Sequence, residues 1–168
     1  KGLSSGYLPI GGVLVSDRVA EVMLTKVGDF NHGFTYSGHP ACAAAALENL
    51  RIIEDEGLVE RVRNDIGPYF RQGWESLLDH ETVGEAVSVG LIGGLQLTAD
   101  KATRKRFDKP DDVGTSVRNH CLDNGLVMRA TGDRMLASPA FTISRSEVDQ
   151  IIEILRKGLD HLAQTART

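Results

Sequence analysis

Lys1-Gly2-Leu3-Ser4-Ser5-Gly6-Tyr7-Leu8-Pro9-Ile10-Gly11-Gly12 places a lysine at the head of a run of small residues. The arrangement suits imine chemistry. An amine with small neighbours reaches a carbonyl without steric obstruction, and the glycines let the backbone pass close to a flat ring. By itself the same stretch also describes an ordinary surface loop. The apolar run Pro9 to Val15 reads as a buried strand leaving that loop. Ser16 and Asp17 then cap a short helix reaching Met23.

Residues 25 to 38 are rich in Gly, Asn, Asp, Ser and Thr and read as a long loop, of the kind that is usually functional or disordered. Within it, Thr35 offers a hydroxyl and a backbone N–H just ahead of a helix, which suits a phosphate oxygen. Pro40 fits a first helical turn. Ala43, Ala44, Leu47, Leu50 and Ile53 follow at helical spacing, and Gly57 stops the helix. A second helical stretch, Leu58 to Leu78, carries Leu58, Val62, Ile66, Phe70, Trp74 and Leu77 on one face, with Pro68 predicting a kink or break.

Downstream, residues 86 to 97 read as strand, with Gly90, Gly93 and Gly94 marking a bulge or close backbone approach. They lack the Lys-Ser/Thr that would make them a phosphate loop. Asp112 to Asn124 is a helix ended by Gly125. Leu126 to Arg129, Arg134 to Ala137 and Ala140 to Ile143 are three short strand candidates, the first two joined by a Thr131-Gly132-Asp133 turn. Ser144 and Glu147 have capping-box spacing ahead of a final helix with one apolar stripe. A composition shift near Asp79 to Val83 divides the chain. Residues 1–80 read as the tail of an α/β domain plus a connecting helix, and residues 81–168 as a small α+β domain.

The bulk composition narrows the function. Of 168 residues, 41% are hydrophobic and 25% charged, with 19 Lys+Arg against 23 Asp+Glu. A scattered basic complement and a net charge of −4 give nucleic acid nothing to bind, and the Lys101 to Lys109 run reads as a solvated loop. No apolar stretch approaches the roughly 20 residues of a membrane span. Cys42 and Cys121 have no metal-type spacing and read as buried thiols of a reducing compartment, which makes the expected location cytoplasmic. A chain opening on lysine is expected to be the later part of a longer protein.

Three segments together carry a family resemblance. They are the Lys1 loop, Phe30-Asn31-His32-Gly33-Phe34-Thr35-Tyr36-Ser37-Gly38-His39-Pro40 with its alanine-rich helix, and Gly125-Leu126-Val127-Met128-Arg129-Ala130-Thr131-Gly132-Asp133. In this order and spacing the chain resembles the class III (omega) aminotransferases of fold type I, which use pyridoxal 5'-phosphate. The third segment is similar to the amine or omega-amino acid:pyruvate branch.

The resemblance implies an α/β fold-type I chain, comprising the end of a large cofactor domain and a small C-terminal α+β domain. It makes Lys1 the lysine that holds the cofactor aldehyde as an imine and then shuttles a proton. It makes Thr35, with Phe34 beside it, a contact to the cofactor of the neighbouring subunit, so that the enzyme is a homodimer or higher homo-oligomer with shared active sites. It makes Arg129 the clamp for the carboxylate of pyruvate or alanine, with a surface ion pair to Asp133 or Asp123 as the plainer role. Ala140 departs from the family, which often has a second proline there. The expected reaction is a ping-pong transfer of an amino group from an amine to pyruvate, with no metal. A decarboxylase or aminomutase of the same cofactor class is the alternative, and a non-catalytic binding protein on the same scaffold is another.

Overall fold

Glycine and proline divide the structure where the sequence places them. The computed structural model describes residues 2–165, whose contacts form two compact units split between Gly57 and Leu58.

In the first unit, helix α1 (Asp17–Val22) continues as a π-turn over Met23–Val27. The Ser16 side chain makes no capping bond. Its carbonyl instead accepts from the Val19 and Ala20 N–H groups, each at 2.9 Å. Helix α2 (Pro40–Asp55) starts with Pro40 in its first turn and ends before Gly57, which adopts φ +59°. The expected strand over residues 9–15 does not form. The segment belongs to no sheet among the described residues, and Val13 and Leu14 are exposed. A strand requires a hydrogen-bonding neighbour as well as β-favouring side chains, and none is paired with it here. On α2 only Ala46 is buried, while Leu47 and Leu50 are exposed.

The second unit opens with a stretch that stays helical through Pro68, where a kink or break was expected. Helix α3 (Leu58–Arg61) passes through a π-turn (Val62–Ile66) into helix α4 (Gly67–Ser76) and a 3₁₀ turn (Leu77–Asp79). The Gly67 N–H reaches back five residues to the Val62 carbonyl, the bond that defines a π-turn. A Cβ at Gly67 would lie 2.2 Å from that oxygen, so glycine is demanded there.

Residues 86–97, expected as a single strand, are a hairpin. β1 (Val83–Val89) turns through Gly90 (φ +57°) and Leu91 into β2 (Ile92–Leu97). β3 (Arg129–Thr131) and β4 (Arg134–Ala137) form a second hairpin about Gly132 (φ +60°). The sheet is antiparallel throughout, in the order β1-β2-β4-β3. The expected strand at 140–143 is absent, and β3 starts at Arg129 rather than Leu126. Pro139 has no N–H for a ladder, and the Phe141 and Ile143 carbonyls accept from the Arg61 guanidinium instead.

Helix α5 (Pro110–Asp123) ends in a Schellman arrangement: Leu126 N–H donates to the Cys121 carbonyl at 2.8 Å, with Gly125 at φ +88°. Helix α6 (Arg145–Thr165) begins with the expected capping box. Ser144 N–H donates to Glu147 Oε2 at 2.7 Å, and Glu147 N–H to Ser144 Oγ at 3.2 Å. Phe70 and Trp74 of α4 stack with ring centres 5.2 Å apart and pack with Val117, Leu155 and Leu159 against Leu95, Leu97 and Met135 of the sheet. Of the two thiols, Cys121 is buried in this core and Cys42 is half-buried. Desolvation pushes the Cys121 thiol up to about 11, so it stays protonated and unreactive at neutral pH.

The supposed solvated run contributes one structural partner. Arg106 grips the fully buried Asp133 through Nε at 2.8 Å and Nη2 at 2.6 Å. The guanidinium holds the Asp133 carboxyl below the usual carboxylate range. As pH falls below about 4, the unfolded chain takes up this proton before the folded one does, so the stabilisation fades through the folded value. The expected result is that Asp133→Asn loses less stability between pH 7 and pH 3 than the parent protein, measured as the difference in urea midpoints.

Candidate functional site

The sheet register decides where Arg129 sits. Arg129 pairs with Leu136, Leu136 with Gly94, and Gly94 with Val87, so these four residues form one row across all four strands. Opposite residues share a face, and this row lies on the face turned away from the helices. Beside it Val89 and Ile92 are exposed. Arg129 makes no hydrogen bond or ion pair with any described residue. Asp133, its suggested partner, is taken by Arg106. Arg129 lines a cavity of about 520 Å³ whose other walls include Ile92, Val127, Met128, Leu136 and Pro139. A cation at an apolar wall suits a small acid with a hydrocarbon or keto end.

Arg106 and Asp133 also set this position, although no periodicity marks them. The Asp133 carbonyl accepts from Leu97 N–H at 2.8 Å, and its side chain is fixed by Arg106. The β3–β4 turn is thereby tied to β2, and with it the strand that presents Arg129.

Phe34 and Thr35 lie in a turn of the first unit, five to six residues before α2. Ser37 closes that turn: Phe34 N–H donates to Ser37 Oγ at 2.9 Å, and Ser37 N–H to the Phe34 carbonyl at 2.9 Å. Gly38 takes φ +72° to lead out. The Thr35 hydroxyl and the N–H groups of Thr35 and Tyr36 have no partner among the described residues. Three donors on one exposed turn fit a phosphate group. Phe30, His32 and Phe34 form an exposed aromatic series, with successive ring centres 5.8 and 5.6 Å apart.

Lys1 lies outside the described residues; the loop after it is held by α2. Asn49 of α2 donates through Nδ2 to the carbonyls of Gly2 (2.9 Å) and Leu3 (3.0 Å), and its Oδ1 accepts from Ser5 Oγ at 2.6 Å. Ser4, itself buried, donates from Oγ to the Leu8 carbonyl at 2.6 Å. Ser5 adopts φ +49°, a left-handed conformation that disfavours a non-glycine residue. The remaining histidines are structural: His80 is buried against Thr82 and Asp160, and His120 stacks on His161. No group of three or more His, Cys, Asp or Glu side chains among the described residues is placed to hold a metal, and no described helix is long and apolar enough to cross a membrane.

Comparison with known proteins shows the family. Residues 1–159 match the class-III aminotransferase family. The chain is 51% identical over 164 residues to a putrescine–pyruvate aminotransferase of Pseudomonas aeruginosa, covering 97% of this chain and 35% of that protein. It superposes with a TM-score of 0.92 and 44% identity on a transaminase from directed evolution by ancestral reconstruction, covering 98% of this chain and 37% of that one. An omega transaminase of Pseudomonas jessenii in complex with PMP matches with TM-score 0.89 and 35% identity, over 96% and 36%. The chain thus spans about a third of the length of the curated relatives it matches. With its fold shared by transaminases of fold type I and nearly its whole length matched, the chain belongs to the class III aminotransferases, a pyridoxal-phosphate-dependent family.

Proposed function

We propose that the enzyme containing this chain moves an amino group from an amine or omega-amino acid to pyruvate in two ping-pong half-reactions. The observation that carries this reading is Arg129, without a hydrogen-bond or ion-pair partner among the described residues, on the wall of an apolar cavity. Support comes from the relative named for putrescine and pyruvate. Pyridoxal 5'-phosphate, when bound, supplies the electron sink and the temporary store for the amino group.

Each residue has a task that follows from its chemistry. Lys1 would hold the cofactor, and its neutral amine would move a proton from the carbon bearing the substrate nitrogen to the cofactor's C4', and back in the second half-reaction. To do so it must be unprotonated, so its pKa must lie below the ~10.4 of a free lysine. Thr35, through its hydroxyl and the adjacent N–H groups, holds the phosphate, and Phe34 covers the pocket edge. Serving the neighbouring subunit's site, these two residues make a homodimer or larger assembly the working unit. Arg129 clamps the keto-acid carboxylate with two parallel hydrogen bonds and swings aside for an amine that has none. We assign residues 1–80 to the large domain with its connecting helix and 81–168 to the small domain, and place the enzyme in the cytoplasm.

Hydrogen bonds to a charged partner are each worth about 1.5–3 kcal/mol, which is roughly 10- to 100-fold in binding. Arg129→Ala is therefore expected to raise KM for pyruvate by about that factor while changing KM for the amine less than about twofold. Steady-state alanine formation at varied pyruvate and amine checks it. Carbon dioxide release, or product formed with no keto acid present, would overturn the transferase reading in favour of a decarboxylase or mutase.

A further inference from the structure

We infer that Asn49 is a positioning residue for Lys1, acting through the backbone of residues 2–5; this rests on the reading of Lys1 given above. Asn49 has four hydrogen-bonding positions on its amide and spends three bonds on one loop: two donated to the Gly2 and Leu3 carbonyls, one accepted from Ser5 Oγ. The contacts bridge 44 to 47 residues of sequence and fix the peptide units that directly follow Lys1. The loop has reason to need such a clamp. Ser5 is held at φ +49°, a conformation that relaxes unless the surroundings enforce it. The hydroxyl of that same residue is the group Asn49 accepts from.

The second half of the loop is closed from within. Ser4 Oγ donates to the Leu8 carbonyl at 2.6 Å, and Tyr7 N–H donates to the Ser4 carbonyl at 3.0 Å. Residues 4–8 therefore form a self-bonded turn, and residues 2, 3 and 5 hang on a helix through one side chain. A catalytic lysine needs this order. Its amine must meet both the cofactor aldehyde and the substrate carbon, and displacement by about 1 Å costs on the order of 100-fold in rate. α2 is a 16-residue helix, a stiffer support than a loop.

Two replacements separate the bonds. Asn49→Leu keeps the branched outline and removes all three; Asn49→Asp keeps the acceptor for Ser5 but sets a carboxylate against the Gly2 and Leu3 carbonyls. Both are made in the intact holoenzyme. The expected result for each is a fall in kcat of about 10- to 100-fold with KM within about twofold. The pH midpoint of the cofactor's visible absorbance should shift, and amide hydrogen exchange over residues 2–8 should quicken at least about tenfold. Ser5→Ala, which removes one bond and cannot disturb the helix, should shift both readouts in the same direction by less. A variant that lowers melting temperature yet leaves the pH midpoint and the exchange of residues 2–8 unchanged would overturn the proposal, as would Ser5→Ala moving neither readout. Borohydride reduction and peptide mapping of the unmutated holoenzyme decides the underlying reading separately: cofactor found on a residue other than Lys1 ends that reading, whereas cofactor on Lys1 with an indifferent Asn49 ends only this inference.

Discussion

Lys1→Ala is expected to lower alanine formation from pyruvate and amine by at least about a thousandfold, while the protein stays folded. Proton transfer by a positioned group is worth about 10²–10⁴-fold, and this lysine is also asked to hold the cofactor. The effect belongs on kcat rather than on KM, because the missing amine acts on bound substrate. Lys1→Arg sharpens the test. It preserves the positive charge, but a guanidinium does not give up its proton near neutral pH, so it should be as inactive as alanine. A small amine added to the Lys1→Ala variant should restore part of the rate, since it supplies the lost base without its tether. Activity within tenfold of the parent in either variant would remove Lys1 from the reaction.

The largest effect on stability is expected at Gly114. This residue lies in α5, buried where the helix crosses the β3–β4 turn, and an added Cβ would stand 1.9 Å from the Gly132 carbonyl oxygen. That contact is with backbone, which has no rotamer to change. Gly132 in turn is held at φ +60° within a tight turn, and Asp133 beside it is anchored by Arg106. The clash must therefore be relieved by moving the helix off the sheet, opening a gap around Val117 and Cys121. Overpacking costs about 1–3 kcal/mol and more where backbone blocks backbone. Gly114→Ala is accordingly expected to lower the melting temperature by about 6–12 °C, as measured by scanning calorimetry. Asp111→Ala, exposed on the same helix, should change it by no more than about 0.5 kcal/mol equivalent. Because β3 carries Arg129, Gly114→Ala should also raise KM for pyruvate before it affects KM for the amine.

The sequence was most readable where a few neighbouring residues settle the outcome. Pro40 in a first turn, Gly57 and Gly125 after helix ends, and the Ser144–Glu147 box all depend on chain within four residues, and all form as expected. The break expected at Pro68 did not form: the chain stays helical through it, with a π-turn at Val62–Ile66 just ahead. Readings that depended on distant partners fared differently. Pro9 to Val15 has strand composition but no paired neighbour, and 140–143 has its carbonyls occupied by Arg61, some 80 residues earlier. The β1–β2 hairpin was hidden because Val87 to Leu97 is almost uninterrupted apolar sequence, in which Gly90 looks like a bulge. For the site, Thr35 and Arg129 were singled out by motif, and neither side chain has a hydrogen-bond partner among the described residues. Asn49 and the pairing of Arg106 with Asp133 were not visible: each contact joins segments far apart in sequence, and none of these residues falls on an apolar stripe.

β1 forms one border of the sheet, and Val87 and Val89 stand open on its face turned away from the helices. An uncovered aliphatic border strand invites a second copy to dock by backbone pairing, and Glu85 places one charge against it. Anyone isolating residues 58–165 from their neighbours should thus expect sticky material that clumps with concentration, and lysines introduced at 87 and 89 would be the natural remedy.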